Sequence, residues 1–185
     1  FAAADCTGHG VPGAMVSVIC NNALNRSVRE FDIHSTSEIL NNTRQLVIKE
    51  FEKSEEEIKD GMDIALCMLE DNTLHYSGAN NPLWIIRNNE IIETKADRQP
   101  IGKFDFSKPF KLHQFELELG DTLYIFTDGF PDQFGGVNGK KYKSGNLKKF
   151  LISIQSHTME EQRKLLEKEF EEWKGENEQI DDVCI

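Results

Sequence analysis

Aspartates stand at three places where a buried strand is expected to meet a turn. Asp5 follows the apolar run at residues 1–4, Asp128 follows the apolar run at 122–127, and Asp181 and Asp182 precede the apolar residues 183–185. Any one of them could be an ordinary turn residue, since Asp is common in turns. Burying three carboxylates close together without cations would be prohibitive. Because such oxygen ligands suit Mg²⁺ or Mn²⁺, the pattern favours a metal site.

The segment GHGVPG at residues 8–13 fits the glycine pattern G-x-G-x-x-G, with Asp32 about 20 residues further on. Read alone, it suggests a dinucleotide-binding turn between a strand and a helix. A dinucleotide fold needs a second parallel strand directly after that helix, and only residues 31–33 separate two predicted helices here. Asp5 would also bring negative charge to a pyrophosphate. The dinucleotide interpretation is therefore disfavoured.

The periodicity of apolar residues predicts the elements that must position these aspartates. Helices are expected at 11–31, at 35–53 after a capping box at Ser35, at 147–154, and at 159–173 after a second capping box at Thr158. Strands are expected at 62–70, 73–77, 83–87, 90–95, 110–119, 122–127 and 182–185. Glu55, Glu56 and Glu57 indicate a solvated loop. The order of helix pair, antiparallel meander, helix pair and final strand predicts one α+β domain.

Composition excludes several classes of protein. The chain has 185 residues, of which 38% are hydrophobic, enough for a globular core. The net charge of −11 disfavours nucleic acid and anionic lipid as partners. The four cysteines form no C-x-x-C pair, which indicates a reducing, cytoplasmic location. No apolar run reaches the roughly 18 residues of a membrane span, so no direct membrane contact is expected.

Taken together, the motifs resemble the metal-dependent protein phosphatase 2C superfamily. The resemblance is closest to its bacterial branch, the stage II sporulation protein E and sigma-B regulator phosphatases. The motifs that carry it are residues 5–14 (DCTGHGVPGA), 60–63 (DGMD), 100–102 (PIG), 120–123 (GDTL), 127–129 (TDG) and 181–182 (DD). They keep the order of the family and span nearly the whole chain.

The resemblance implies a four-layer α/β/β/α sandwich, with two antiparallel sheets between helices and two Mg²⁺ or Mn²⁺ ions at one end. Asp5 would bridge both ions, and Cys6 would offer its backbone carbonyl. Asp128 and Asp181 would complete the ligands of one ion. The residues that would lie beside these ligands without binding metal are Gly129 and Asp182.

The implied activity is that of a serine/threonine phosphoprotein phosphatase, which uses a metal-activated water. Its expected substrate is a phosphorylated regulatory protein that resembles an anti-sigma-factor antagonist. His9 is a candidate general acid for the leaving alkoxide, or alternatively a residue that shapes its loop. The other interpretation of the whole chain is a non-catalytic pseudophosphatase that serves as a binding module.

The family context also predicts how the domain is organised. Residues 1–185 are expected to be a single phosphatase domain cut from a longer chain, without its N-terminal strands and with a sensor domain upstream. Homodimers formed through helices are compatible with such output domains. The segment GANNPL at residues 78–83 departs from the Gly-Asp-Ser-Arg of many eukaryotic relatives. This departure leaves open whether a third cation has an acidic ligand.

Overall fold

The computed structural model describes residues 1–53 and 60–185 of the chain. Its helices are α1 Gly10–Arg29, α2 Thr36–Phe51, α3 Gly129–Asp132, α4 Ser144–Ser153 and α5 Met159–Lys174. Its strands are β1 Ala2–Cys6, β2 Gly61–Glu70, β3 Thr73–Ala79, β4 Leu83–Arg87, β5 Glu90–Thr94, β6 Ile101–Gly102, β7 His113–Glu116, β8 Thr122–Ile125, β9 Phe134–Gly135 and β10 Lys140–Lys141. Within the described residues, no helix is both long enough and apolar enough to cross a membrane.

The strands form two main sheets in which every ladder is antiparallel. The first sheet has the order β1-β2-β3-β7, and β6 also pairs with β2. The second sheet has the order β5-β4-β8, and β9 and β10 form a separate small hairpin. The meander predicted from the sequence is therefore confirmed.

Alternation of side chains along β2 divides the first sheet into two buried faces. Met62, Ile64 and Leu66 pack under α1 and α2 in one core. Ala65 and Cys67 point to the opposite face, where they pack against residues of the second sheet. Because successive side chains of a strand alternate between faces, β2 contributes to both cores at once.

The second sheet is covered on its outer face by the C-terminal helices. Trp84 and Ile86 of β4 and Tyr124 of β8 pack there with Leu147 of α4 and Phe170 of α5. The resulting order of layers is helices, sheet, sheet, helices. This is the α/β/β/α sandwich that the resemblance implied.

Some predicted strands are shorter than the apolar pattern suggested. The strand predicted at 110–119 is reduced to β7, because the backbone N–H groups of Phe110 and Lys111 donate to the side chains of Asn41 and Asp97 instead of to a neighbouring strand. No strand is assigned at residues 182–185. That segment makes a backbone hydrogen bond beside the end of β8, from the amide of Thr127 to the carbonyl of Cys184, but it forms no ladder.

The two predicted capping boxes have different outcomes. At the start of α5, the side chains and amides of Thr158 and Glu161 form the reciprocal pair of a capping box. At the start of α2, the Ser35 hydroxyl contacts the Ser37 hydroxyl at 3.1 Å and does not cap the helix. The second helix is therefore confirmed, whereas its capping box is wrong. The predicted loop at Glu55, Glu56 and Glu57 lies outside the described residues.

A buried arginine ties α2 to the loop before β7. Arg44 is 6% exposed, and its guanidinium donates to the Gln99 side chain at 3.2 Å, the Lys108 carbonyl at 3.0 Å and the Asn41 side chain at 3.3 Å. It also lies 4.8 Å from the centre of the Phe110 ring. A planar group with several fixed donors suits this site, where each partner accepts from a different direction.

Arg44→Lys should lower the free energy of unfolding by about 2 kcal/mol, because a lysine cannot satisfy all of these acceptors and leaves buried polar groups unpaired. Urea unfolding followed by circular dichroism measures the change. Arg29→Lys, at an exposed position in the last turn of α1, is the matched control and should change stability by less than about 0.5 kcal/mol. Equal stability of Arg44→Lys and the parent chain would refute this account of the buried arginine.

Candidate metal centre

Three of the predicted aspartates converge at one end of the sandwich. Asp5 lies near the end of β1, Asp128 follows β8, and Asp181 follows α5. Each offers a carboxylate oxygen, and these oxygens all lie within 4.8 Å of one another. These three aspartates are far apart in the sequence, so it is the fold that brings them together.

The direction in which the side chains of β1 project explains why Asp5 points to this end of the sandwich. In the ladder between β1 and β2, Ala3 pairs with Ala65 and Asp5 pairs with Asp63. Ala65 belongs to the core between the two sheets. Because residues two apart on a strand share a face, Asp5 and Asp63 lie on the same inter-sheet side, at its open end.

Thr127 fixes the C-terminal segment beside the end of β8. Its amide donates to the Cys184 carbonyl at 3.0 Å, and its hydroxyl donates to the Asp182 carbonyl at 3.0 Å. The same hydroxyl accepts from the amide of Cys184 at 3.1 Å. These contacts hold Asp181 close to Asp128. No role was predicted for Thr127, although its place directly before Asp128 was a usable signal.

Gly129 allows the closest approach between the two segments. A Cβ atom at this position would lie 2.3 Å from the carbonyl oxygen of Asp182, which is far inside van der Waals contact. Asp182 itself is not one of the three converging carboxylates. Gly129 and Asp182 are thus in direct contact beside Asp128. The role predicted for them next to the metal ligands stays a prediction.

The glycine-rich turn after β1 allows one stretch of backbone to pack closely against another. The Thr7 amide donates to the Gly61 carbonyl at 2.9 Å, and the Gly61 amide donates to the Thr7 hydroxyl at 3.2 Å. In the first turn of α1, a Cβ on Gly13 would lie 2.6 Å from the carbonyl oxygen of Gly8. The glycine pattern is therefore explained by a tight turn and a close approach of backbone to backbone.

The cluster is electrostatically strained in the absence of cations. Burial, followed by the nearby carboxylates of Asp181, Asp128, Asp182 and Asp63, raises the pKa of Asp5 to about 6. The pKa of Asp128 is also raised, by burial and then by Asp181. Divalent cations would relieve this repulsion, and a set of carboxylate oxygens is the donor chemistry that Mg²⁺ and Mn²⁺ take. The residues present fit such ions.

Cys6 and His9 line a cleft together with Asp5, and its volume is about 470 Å³. The side chain of Cys6 packs on the α1 side of the first sheet, against the core that contains Cys20. Its thiol is thus turned away from the carboxylates. His9 is exposed at the N-terminus of α1, where its side chain makes no capping hydrogen bond. The roles predicted for the Cys6 carbonyl and for His9 stay predictions.

Asp63 also lies at this site, although the sequence pointed to it only as part of the 60–63 motif and no role was predicted for it. Its Oδ1 accepts a hydrogen bond from the side chain of Asn80 at 2.8 Å, and its carboxylate contributes to the raised pKa of Asp5. Burial and the charge of Asp128 raise the pKa of Asp63, against the effect of the Asn80 hydrogen bond. The alternation of side chains along the strand could have revealed it. Met62 and Ile64 are buried under the helices, so Asp63 between them must face the other sheet.

Comparison with known proteins agrees with this geometry. The family model described as stage II sporulation protein E (SpoIIE) matches residues 1–185. The SiaA-PP2C domain of Pseudomonas aeruginosa is 27% identical, with a TM-score of 0.86 over 98% of this chain and 71% of that chain. No curated protein matches the chain.

Two more distant structures share the fold. The phosphatase domain of SpoIIE from Bacillus subtilis, solved with a fragment of its regulatory domain, is 17% identical, with a TM-score of 0.71 over 98% of this chain and 51% of that chain. The chain thus spans about half the length of that relative. The catalytic domain of the serine/threonine phosphatase PstP, in complex with two manganese ions, is 15% identical, with a TM-score of 0.66 over 98% of this chain and 83% of that chain. From the family match over its whole length, we conclude that the chain belongs to the stage II sporulation protein E (SpoIIE) family and has the fold of a PP2C phosphatase domain.

Proposed function

We propose that this domain removes phosphate from phosphoserine or phosphothreonine on a regulatory protein, with Asp5, Asp128 and Asp181 as ligands of divalent cations. The observation that carries the proposal is the convergence of these three carboxylates to within 4.8 Å in a chain of this family. A pseudophosphatase would be favoured by a missing ligand. The binding-module alternative therefore has no residue in its support.

Asp5 would be shared by two Mg²⁺ or Mn²⁺ ions, and the Cys6 carbonyl would contribute to one of them. When bound, such cations lower the pKa of water and stabilise negative charge on a transferring phosphoryl group. The chain's own residues supply the rest. Thr127 and Gly129 hold the segment with Asp181 and Asp182 against the end of β8. The cleft beside Asp5 has a volume of about 470 Å³, which is large enough for a phosphorylated side chain.

His9 is the residue that we propose to protonate the leaving alkoxide. It lines the same cleft as Asp5 and is exposed, so a substrate hydroxyl could reach its imidazole. Histidine is the side chain whose ordinary pKa lies nearest to neutral pH, which suits it to donate a proton and to recover it from water.

The partners that we propose follow from the family and from the surface of the chain. The substrate is a phosphorylated protein of the anti-sigma-factor-antagonist type, and an upstream sensor domain in the same polypeptide controls access to it. The acidic surface argues against nucleic acid. All four cysteines are free, which suits the reducing cytoplasm where we place the protein.

Asp128→Asn should reduce Mn²⁺-dependent hydrolysis of p-nitrophenyl phosphate and of a phosphoserine peptide by at least 100-fold, because one of the converging carboxylates is lost. Asp132→Asn is the matched control, since Asp132 lies one helical turn away and pairs with Lys141 at the surface. The control should retain activity within about threefold. Full activity of the parent chain in excess EDTA would contradict the proposal.

Removing the negative charge of Asp5 should stabilise the metal-free protein and, at the same time, disable the metal centre. Asp5→Asn should raise the free energy of unfolding at pH 7 by roughly 1 kcal/mol, a value reduced by solvent screening of this partly exposed group. Because folding raises the pKa of Asp5 to about 6, the parent chain regains this stability as the pH falls. The difference between variant and parent should therefore shrink below pH 6 and vanish below about pH 4.

Urea unfolding with and without Mn²⁺ measures both effects. At 100 times its dissociation constant, Mn²⁺ should stabilise the parent by about 2.7 kcal/mol and leave Asp5→Asn almost unchanged. An Asp5→Asn variant that is less stable than the parent at pH 7 without metal would show that the carboxylate cluster is not strained.

Gly129→Ala should weaken Mn²⁺ binding about tenfold or more, because the new methyl group would push the Asp182 carbonyl away and move Asp181 with it. Calorimetric titration with Mn²⁺ gives the affinity. Gly145→Ala is the matched control, since a Cβ there in α4 would meet no atom within 4 Å. It should leave Mn²⁺ affinity unchanged and stabilise the helix slightly. Unchanged affinity in Gly129→Ala would rule out this role for Gly129.

A further inference from the structure

Asp63 lies directly opposite Asp5 in the ladder between β1 and β2. Paired residues in an antiparallel ladder project to the same face, with Cα atoms about 4.5–5.5 Å apart. Two carboxylates at such a pair repel each other, and an ordinary sheet avoids this arrangement. The pair is set at the end of the sandwich where the other carboxylates of the centre also lie.

The orientation of Asp63 is fixed by Asn80, in the turn between β3 and β4. The Asn80 side-chain amide donates to Oδ1 of Asp63 at 2.8 Å. Asn80 adopts a left-handed backbone conformation, with φ of +60°, and its own amide donates to the Asp97 carbonyl at 3.0 Å. Such a conformation in a residue other than glycine is uncommon and persists where its surroundings determine it. The amide is neutral, so it aims the Asp63 carboxylate without cancelling its charge.

Asp63 is not part of the group whose oxygens lie within 4.8 Å of one another. Asp5, Asp128 and Asp181 would hold one cation, and Asp63 flanks Asp5 from the neighbouring strand. Paired catalytic cations typically lie about 3.5–4 Å apart and share a ligand. A carboxylate that faces Asp5 across a strand pair is placed to bind the second of two such ions.

We propose that Asp63 is a ligand of the second divalent cation of the centre, together with Asp5, and that Asn80 positions its carboxylate. This inference rests on the proposed metal-dependent function. It gives the centre an acidic ligand from β2. Asn80 then acts through Asp63 and does not contact metal itself.

Mn²⁺ binding to the metal-stripped chain, measured by calorimetric titration, tests the proposal. The parent should bind two ions. Asp63→Asn should keep one ion and lose the other, or bind it at least 30-fold more weakly, and Asn80→Ala should weaken the same ion about tenfold. Glu70→Gln removes an exposed carboxylate from the far end of the same strand and should bind both ions as the parent does.

A second readout separates ligation from a structural role. Two Mn²⁺ ions that share Asp5 couple magnetically, so the electron paramagnetic resonance spectrum of the parent should show a coupled pair and that of Asp63→Asn an isolated ion. Thermal unfolding of the metal-free chains should show Asp63→Asn to be at least as stable as the parent, because a like-charge pair is removed. Should Asp63→Asn fail to fold, Asn80→Ala carries the test through the same two measurements.

The outcomes distinguish this inference from the function on which it rests. If Asp128→Asn loses metal while Asp63→Asn and Asn80→Ala bind two ions with affinities within twofold of the parent, the role of Asp63 is overturned and the phosphatase centre stands. If the parent binds a single ion that Asp63→Asn retains, the role of Asp63 is likewise overturned. If the parent binds no Mn²⁺ at millimolar concentration, the proposed metal centre fails, and this inference fails with it.

Discussion

Repulsion among carboxylates at one end of the sandwich is the constraint on which the rest of the site depends. Asp5, Asp128 and Asp181 come from different parts of the chain, and each would be more stable apart from the others. Packing elsewhere must hold them together. The three hydrophobic cores do so, since each sheet is buried on both faces and cannot shift without exposing apolar side chains. The fold thus maintains a site that is unfavourable until cations bind.

Two kinds of contact hold these aspartates in place. Along β1 and β2, backbone pairing and the alternation of side chains set Asp5 on the inter-sheet face. At the end of β8, by contrast, regular pairing has stopped, and the side chain of Thr127 replaces it by binding both Asp182 and Cys184. A hydroxyl that donates to one backbone group and accepts from another can join two segments where no ladder continues.

Sequence patterns were sufficient for the architecture and for the three converging aspartates, and insufficient for what depends on local hydrogen bonding. The strand predicted at 110–119 was too long because apolar alternation does not reveal that Asn41 and Asp97 capture its amides. Ser35 had the residue type of a helix cap, but a neighbouring hydroxyl competed for it. Asp63 was overlooked because its significance depends on strand register, which pairs it with Asp5 and which composition alone does not fix.

The C-terminal segment that carries Asp181 is held less firmly than the strand that carries Asp5. Asp181 is exposed and lies in a stretch without regular secondary structure, tied to β8 through Thr127. In the proposed metal centre, cation binding would need this segment docked, and a bound cation would in turn hold it docked, so the two equilibria would be linked and reinforce each other. Asp5, by contrast, is fixed by a strand that is paired along its length. The proposed centre therefore combines a rigid half on the first sheet with a half that bound cations would help to complete.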